Sequence, residues 1–375
     1  MINWIANDII ALLISLILTG IIIPQILLIA FRKKLFDDID ERKIHKGVVP
    51  RLGGIAFLPS ILFSLAVVVG WDLRLGGMDA WEQFSTSIVP MYFMISATLL
   101  MFLVGIADDL VGVRYMAKFI VQILAAVLIV MSGMYIDNLF GFIWLKQLPI
   151  WLGILATVFA VVYVVNAINL IDGIDGLASG LSTVALAFYA ILFYNAGEYV
   201  YSMLACAAAG TLFPFFYFNV FGNAVKRKKI FMGDTGALTT GMILVFCAIA
   251  MLNIKGSAFE GEYNPFVLAL SPLIIPCFDV VRVYLHRVRA HRNPFLPDKC
   301  HIHHKLLALG LNQRAALCVI LLWSVLFILV NVALSDLINP TLLIFTDIVI
   351  WTLANIILSR KIREREKRLN VHLFD

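Results

Sequence analysis

Hydrophobic residues run along this chain in long uninterrupted blocks, broken at intervals by short polar stretches. Eleven blocks stand out, at 8–31, 53–70, 91–107, 119–134, 149–166, 177–194, 199–218, 237–252, 265–283, 315–334 and 341–358. Most reach the ~17–20 residues that a helix needs to cross hydrocarbon. They show neither the alternation of a half-buried strand nor the single stripe of a surface helix. The pattern predicts an all-α, polytopic transmembrane bundle of about eleven helices, one domain over residues 1–375 with a basic tail at 359–375. No Lys or Arg precedes the first block, which is long enough to span, so it reads as a membrane helix and not as a cleavable signal.

Composition agrees. Of 375 residues, 62% are hydrophobic and 14% charged, with a mean hydropathy of +0.95. Soluble domains lie nearer ~45–50% and ~25%, and a soluble core of this size could not hide the excess. The formal charge of +5 points to no nucleic acid, because the basic residues sit in short loops between apolar blocks. Counted by alternate loops, 26 of the 29 Lys and Arg fall on one side and 3 on the other. The positive-inside rule makes the rich side cytoplasmic, with the N-terminus outside, the C-terminus inside and an odd number of spans. Four cysteines, Cys206, Cys247, Cys277 and Cys318, lie in apolar blocks, so no disulfide framework is visible. Cys300 stands near histidines but lacks a second cysteine at zinc-ligand spacing.

Polar residues that carry chemistry gather in four loops on the basic side. Asp108 and Asp109 close an apolar block, at a helix end that repels anions unless a cation offsets them; Lys118 follows nine residues on. In NAINLIDGIDGLASG, Asn166, Asn169, Asp172 and Asp175 recur every three residues, and Gly173 and Gly176 permit a turn before a new helix. The spacing is not that of a calcium loop. In FMGDTGAL, Asp234 lies at a helix start between two glycines, with Phe231 as a possible base-stacking ring. In NPFLPDKCHIHHKLL, His301, His303 and His304 cluster with Lys299 and Lys305, a set suited to phosphate oxygens. Each loop alone also has a plainer reading, as a solvated helix cap, a polar turn or a basic membrane-surface loop. Together, acids, amides, histidines and lysines on one side suit Mg²⁺-dependent phosphoryl chemistry at the membrane surface. A P-loop, a G-x-S-x-G elbow and a catalytic cysteine pattern are all missing.

These motifs resemble those of the polyprenyl-phosphate N-acetylhexosamine-1-phosphate transferases. The matching pieces are RKIHKGVVPRLGG (42–54), DDLVG (108–112), NAINLIDGIDGLA (166–178), FNVFGNAVKRKKIFMGDTGAL (218–238) and PFLPDKCHIHHKLL (294–307), in family order. The resemblance implies transfer of a hexosamine-1-phosphate, N-acetylglucosamine-1-phosphate on the strength of PDKCHIHH, from a UDP-N-acetylhexosamine to undecaprenyl phosphate, releasing UMP. It implies Mg²⁺, with Mn²⁺ as the alternative ion, held by Asp234 with Asp109 as a second candidate. It gives catalytic roles to Asp108, Asp109, Asp175, Asp234, His301, His303 and His304. It sets Gly173, Ile174, Asp175 and Phe231 around the uridine, and Asn166, Asn169 and Asp172 beside the nucleotide-sugar. Lys46, Lys118 and Lys299 fall near phosphates. A bacterial cytoplasmic membrane, a cytoplasmic active site and initiation of a cell-envelope glycan follow from it, and a homodimer is compatible.

Three other readings compete. The related phospho-N-acetylmuramoyl-pentapeptide transferases share the loops but carry a different histidine segment. An ion-coupled transporter would want acids near mid-span in both halves. A membrane prenyltransferase would want a third acid where Gly112 stands.

Overall fold

The computed structural model describes residues 3–35, 48–254, 263–291 and 300–371. The helices in chain order are α1 (Trp4–Lys33), α2 (Phe57–Ser85), α3 (Ile88–Val111), α4 (Tyr115–Met131), α5 (Ile150–Ile171), α6 (Leu177–Asn195), α7 (Tyr199–Phe216), α8 (Gly233–Leu252), α9 (Pro265–Leu270), α10 (Ile274–Arg289), α11 (Ile302–Ala308), α12 (Gln313–Leu334) and α13 (Pro340–Leu369). Among the described residues ten helices are long and apolar enough to cross a membrane, with α9 and α10 counted as one through a short turn at Ser271–Leu273. The protein is therefore an all-α polytopic membrane bundle.

The eleventh pass is α4. It has 17 residues, about 25 Å at 1.5 Å per residue. Its first turn meets the end of α3, and α5 returns its own last turn to the same place, as the contacts of Lys118 and Asn169 with Asp234 show. So α4 must run the whole way to the far end. Its missing length is made up there by a hairpin-like loop, in which Leu139 N–H donates to the Lys146 carbonyl and Leu148 N–H to that of Asp137, both at 2.7 Å.

Packing is graded from lipid to centre. Large apolar side chains such as Ile17 and Ile21 of α1 and Phe345 of α13 face outward, as lipid-facing positions do. Where α1 lies on α7 small residues let two membrane helices approach: a Cβ at Gly210 of α7 would run into Ser15 and the Leu12 carbonyl of α1. At the centre stands α8, whose apolar stretch is 94% buried. A helix apolar on every face has no side to give to water, and α3, α5 and α6 enclose it. Its N-terminus carries Asp234, so the central helix delivers that carboxylate to the middle of one end of the bundle.

Boundaries differ from the apolar blocks in two instructive places. The block at 119–134 is a helix that starts four residues earlier, at Tyr115. The stretch after 358 is a continuous extension of α13 to Leu369. It is ordered because Ile362 is buried and the Arg365 guanidinium donates to the Ala308 carbonyl at 3.0 Å, at the end of α11.

Candidate functional site

The first four N–H groups of a helix have no acceptor within it. For α8 the acceptor comes from another helix. Asp109, near the end of α3, takes the N–H of Asp234 on Oδ1 (2.8 Å) and the N–H and hydroxyl of Thr235 on Oδ2 (2.9 and 2.6 Å). Its charge is also favoured by the positive end of the α8 dipole. The two helices touch backbone to backbone here, because a Cβ at Gly105 of α3 would run into the Thr235 main chain. Both oxygens of Asp109 are thus committed to holding α8.

That leaves Asp108 facing Asp234. The Lys118 ammonium lies between them, 3.0 Å from Asp108 Oδ2 and 2.7 Å from Asp234 Oδ2. Asp108 Oδ1 accepts the Val113 N–H at 2.6 Å, and Asp234 Oδ1 accepts from the Asn169 amide at 2.9 Å. The three charged side chains remain 16–25% exposed, so solutes can reach them. Asn166, one turn back on α5, is engaged elsewhere. It exchanges amide hydrogen bonds with buried Gln122 of α4 (2.7 and 3.3 Å) and donates to the Val162 carbonyl at 2.7 Å. Among the described residues no group of three His, Cys, Asp or Glu forms a ready metal cage. Two facing carboxylates are nonetheless what Mg²⁺ uses, since it keeps waters and takes the remaining oxygens from phosphate.

Beside this pair lies the α5–α6 turn. Asp172 and Gly173 are exposed and Ile174 is buried. Gly176, at φ 80°, starts α6 in a backbone conformation that glycine adopts without strain. The turn is tied down by Asn219, which accepts the Gly176 N–H (2.6 Å) and donates to the Ile230 carbonyl (2.8 Å). The next residue, Phe231, exchanges backbone hydrogen bonds with the 50–53 strip, donating to Pro50 at 2.9 Å and accepting from Gly53 at 3.0 Å. The Lys229 ammonium pairs with Asp175 at 2.6 Å and stands 5.7 Å from the centre of the Phe231 ring. A cavity of about 360 Å³ opens against Asp175 and Lys229, closed on its other side by Asn312, Gln313 and Arg314 at the start of α12.

The histidine segment closes the site. His303 is 1% exposed and its ring lies on Gly173, where a Cβ would collide with it. Neither of its ring nitrogens has a hydrogen-bond partner among the described residues. Burial, helped by neighbouring His304, pushes its pKa down to about 3, so it is neutral at physiological pH. His301 lies behind it, with its ring parallel at 5.7 Å and its Nδ1 2.8 Å from Asp279 of α10. The ring of His304 is 4.2 Å from that of His303. Lys305 turns away to Asn355 and Ser359 of α13, at 3.1 and 3.0 Å, and burial with nearby Arg282 lowers it to about 8.

The structure thus gathers Asp108, Asp109, Lys118, Asn169, Asp172, Gly173, Ile174, Asp175, Phe231, Asp234 and the three histidines at one end of the bundle. Lys46 and Lys299 lie outside the described residues. Four residues with evident work were missed by motif reading: Gln122, Asn219, Lys229 and Asp279. Asn219 and Lys229 lay inside a matched segment, and Lys229 within a basic run. Gln122 and Asp279 carried the one available signal, a strongly polar side chain inside an apolar block.

Comparison with known proteins gives the family. The model of glycosyl transferase family 4 matches residues 91–252, from α3 to the end of α8. A probable undecaprenyl-phosphate N-acetylglucosaminyl 1-phosphate transferase of Bacillus subtilis is 30% identical, over 88% of this chain and 85% of its own. An undecaprenyl-phosphate alpha-N-acetylglucosaminyl 1-phosphate transferase of Haemophilus influenzae is 33% identical, over 76% and 75%. A decaprenyl-phosphate N-acetylglucosaminephosphotransferase of Mycolicibacterium smegmatis is 30% identical, over 76% and 71%.

Proposed function

From the family to which this chain belongs, the polyprenyl-phosphate N-acetylhexosamine-1-phosphate transferases, we infer that it loads a phosphosugar onto a membrane lipid. The donor is UDP-N-acetylglucosamine, the acceptor undecaprenyl phosphate, and the released product UMP. An oxygen of the lipid phosphate bonds to the sugar-bearing phosphorus, and the bond from that phosphorus to the bridging oxygen breaks. The bridging oxygen leaves with UMP.

One observation carries the reading: two carboxylates, Asp108 and Asp234, share a lysine at the open end of the bundle, beside a turn with a nucleotide-sized cavity. Asp108 and Asp234 suit Mg²⁺, or Mn²⁺ in its place, which when bound supplies positive charge against the diphosphate. Lys118 is within reach of any phosphate that binds at Asp234 and can exchange a carboxylate for it. The Asp175–Lys229 wall and the Phe231 ring suit a uracil and its ribose. His303 brings unspent hydrogen-bonding capacity to the sugar and diphosphate side. Catalysis is then mainly positioning and charge neutralisation for an in-line displacement. The prenyl chain stays in the bilayer, between helices whose outer faces are apolar. The site faces the cytoplasm of a bacterial cell, and the product begins an envelope glycan.

The test is UMP release by the purified protein in detergent, with undecaprenyl phosphate, Mg²⁺ and UDP-N-acetylglucosamine. Lipid-dependent turnover that EDTA abolishes and Mg²⁺ restores is expected. Asp234→Asn lowers kcat by a factor on the order of 1000 or more, with the folded protein recovered in normal yield. Turnover within tenfold of wild type in that variant would remove Asp234 from the metal site. A preference for UDP-N-acetylmuramoyl-pentapeptide would move the chain to the related branch.

A further inference from the structure

We propose that Asp279 is a positioning residue for this reaction, acting through His301, and that His301 and His303 have separate tasks. The inference rests on the transferase reading. It starts from a carboxylate in an apolar helix. Asp279 is fully buried in α10, a costly place for an acid unless every acceptor site is used. All of them are. Arg282, one turn on, donates to Oδ1 at 2.8 and 3.2 Å. The Ile302 N–H donates to the same carboxylate at 3.1 Å. His301 Nδ1 meets Oδ2 at 2.8 Å. Arg282 also donates to the Cys300 carbonyl. One acid and one guanidinium thereby fix three consecutive residues, 300 to 302, at the point where the chain turns into α11.

What this holds in place is His303. The parallel rings of His301 and His303 form a stack, and the Nε2–Cε1 edge of His303 lies against Gly173 of the α5–α6 turn. A carboxylate already paired with Arg282 acts as an acceptor, so His301 carries its hydrogen on Nδ1. That nitrogen and its ring face are then committed to support. His303 is the opposite case, buried with neither nitrogen bonded among the described residues. A polar group in that condition is costly unless something arrives to bond it. The structure therefore assigns substrate contact to His303 and support to His301. The other end of α11 is clamped as well, since Lys305 and the Ala308 carbonyl are held by α13. Gly173 and the α11 clamps leave His303 little freedom other than through the Asp279 anchor.

The experiment is a double-mutant cycle on the full-length protein, with hydrogen exchange as a second readout. Asp279→Ala is expected to lose kcat by a factor on the order of 100. The same loss is expected in His303→Ala, and the double variant should be no worse than either alone. Amides of 300–308 should exchange faster in Asp279→Ala while those of α5 and α8 do not. Asp279→Asn keeps an acceptor for Ile302 and serves where the alanine variant fails to fold; it should show a smaller loss in the same direction. Wild-type kcat and KM in both variants, or losses that multiply in the double variant, would overturn the proposal. If the wild-type protein releases no UMP from any UDP-sugar, the transferase reading fails first. The brace is then decided by exchange: loosening confined to 300–308 supports it, and unchanged exchange overturns it.

Discussion

At the scale of single residues the site is decided by what each side chain already holds. Asp108 and Asp109 are neighbours in sequence, yet one faces Lys118 and Asp234 while the other caps a helix. Adjacent residues on a helix point about 100° apart, and here that angle separates chemistry from architecture. Gly173 is a residue of the second kind. Its missing side chain is the space in which the His303 ring lies. Gly173→Ala should therefore force the buried His303 ring aside, lowering kcat by a factor on the order of 100 and lowering the melting temperature as well, because the ring it displaces is packed and clamped. A variant with normal turnover would show that His303 need not rest there. His303 also sets a pH dependence. Its folded pKa lies near 3 because of burial and His304, against about 6.5 in an unfolded chain. Between those values the unfolded chain binds a proton that the folded one refuses, so acid favours unfolding. Stability should fall by up to ~1.4 kcal/mol per pH unit below about 6.5. Melting temperatures of wild type and His303→Gln from pH 7 to pH 4 check this, and the variant should show the flatter curve. Equal slopes would mean that His303 takes up its proton in the folded protein.

At the scale of elements the decisive contact is between α3 and the start of α8. Because Asp109 satisfies three donors there, Asp109→Ala leaves orphaned N–H groups at the head of the central helix. A lost helix cap costs about 1–2 kcal/mol. Asp109→Ala should therefore lower the melting temperature clearly and lose activity with it. Asp108→Ala should keep its melting temperature and lose activity alone. The reverse pattern would exchange the two roles. The elements themselves were readable from sequence, since lipid as solvent makes helices apolar all round and the blocks mark them directly. All eleven blocks have a helical pass. The ends were less readable, because hydropathy reports where lipid stops and not where backbone hydrogen bonds stop. That is why α4 begins at Tyr115 and α13 runs on to Leu369. The site was readable as a set of loops but not as a set of pairs. Nothing in DDLVG tells which acid caps a helix whose start lies 125 residues later. Asp279 and Gln122 carry no motif, and their partners His301 and Asn166 lie 22 and 44 residues away.

At the scale of the whole molecule the fold sorts charge to one end. The carboxylates, the lysines and the histidine segment meet where α3, α5 and α10 end and α4, α6, α8 and α12 begin. The opposite end has its own buried acids, but the partners that donate to them are neutral, Asn7 to Asp72 at 2.6 Å and Ser202 to Asp8 at 2.7 Å. The proposed transfer needs the end with the site to face the compartment that holds its charged donor, which cannot cross the bilayer. By the positive-inside rule the distribution of 26 basic residues against 3 predicts that this end is cytoplasmic. Two exposed positions read this directly. Val225, 75% exposed, lies in the loop before Asp234, and Lys146 lies on the hairpin at the far end. In a background with Cys206 and Cys318 replaced by serine, a membrane-impermeant thiol reagent should label Lys146→Cys in cells with a permeable outer wall and an intact inner membrane. Val225→Cys should be labelled only once that membrane is opened. The opposite pattern would invert the bundle. It would also take the site away from its donor, and with that the transferase reading would lose its substrate even if every distance in the site were right.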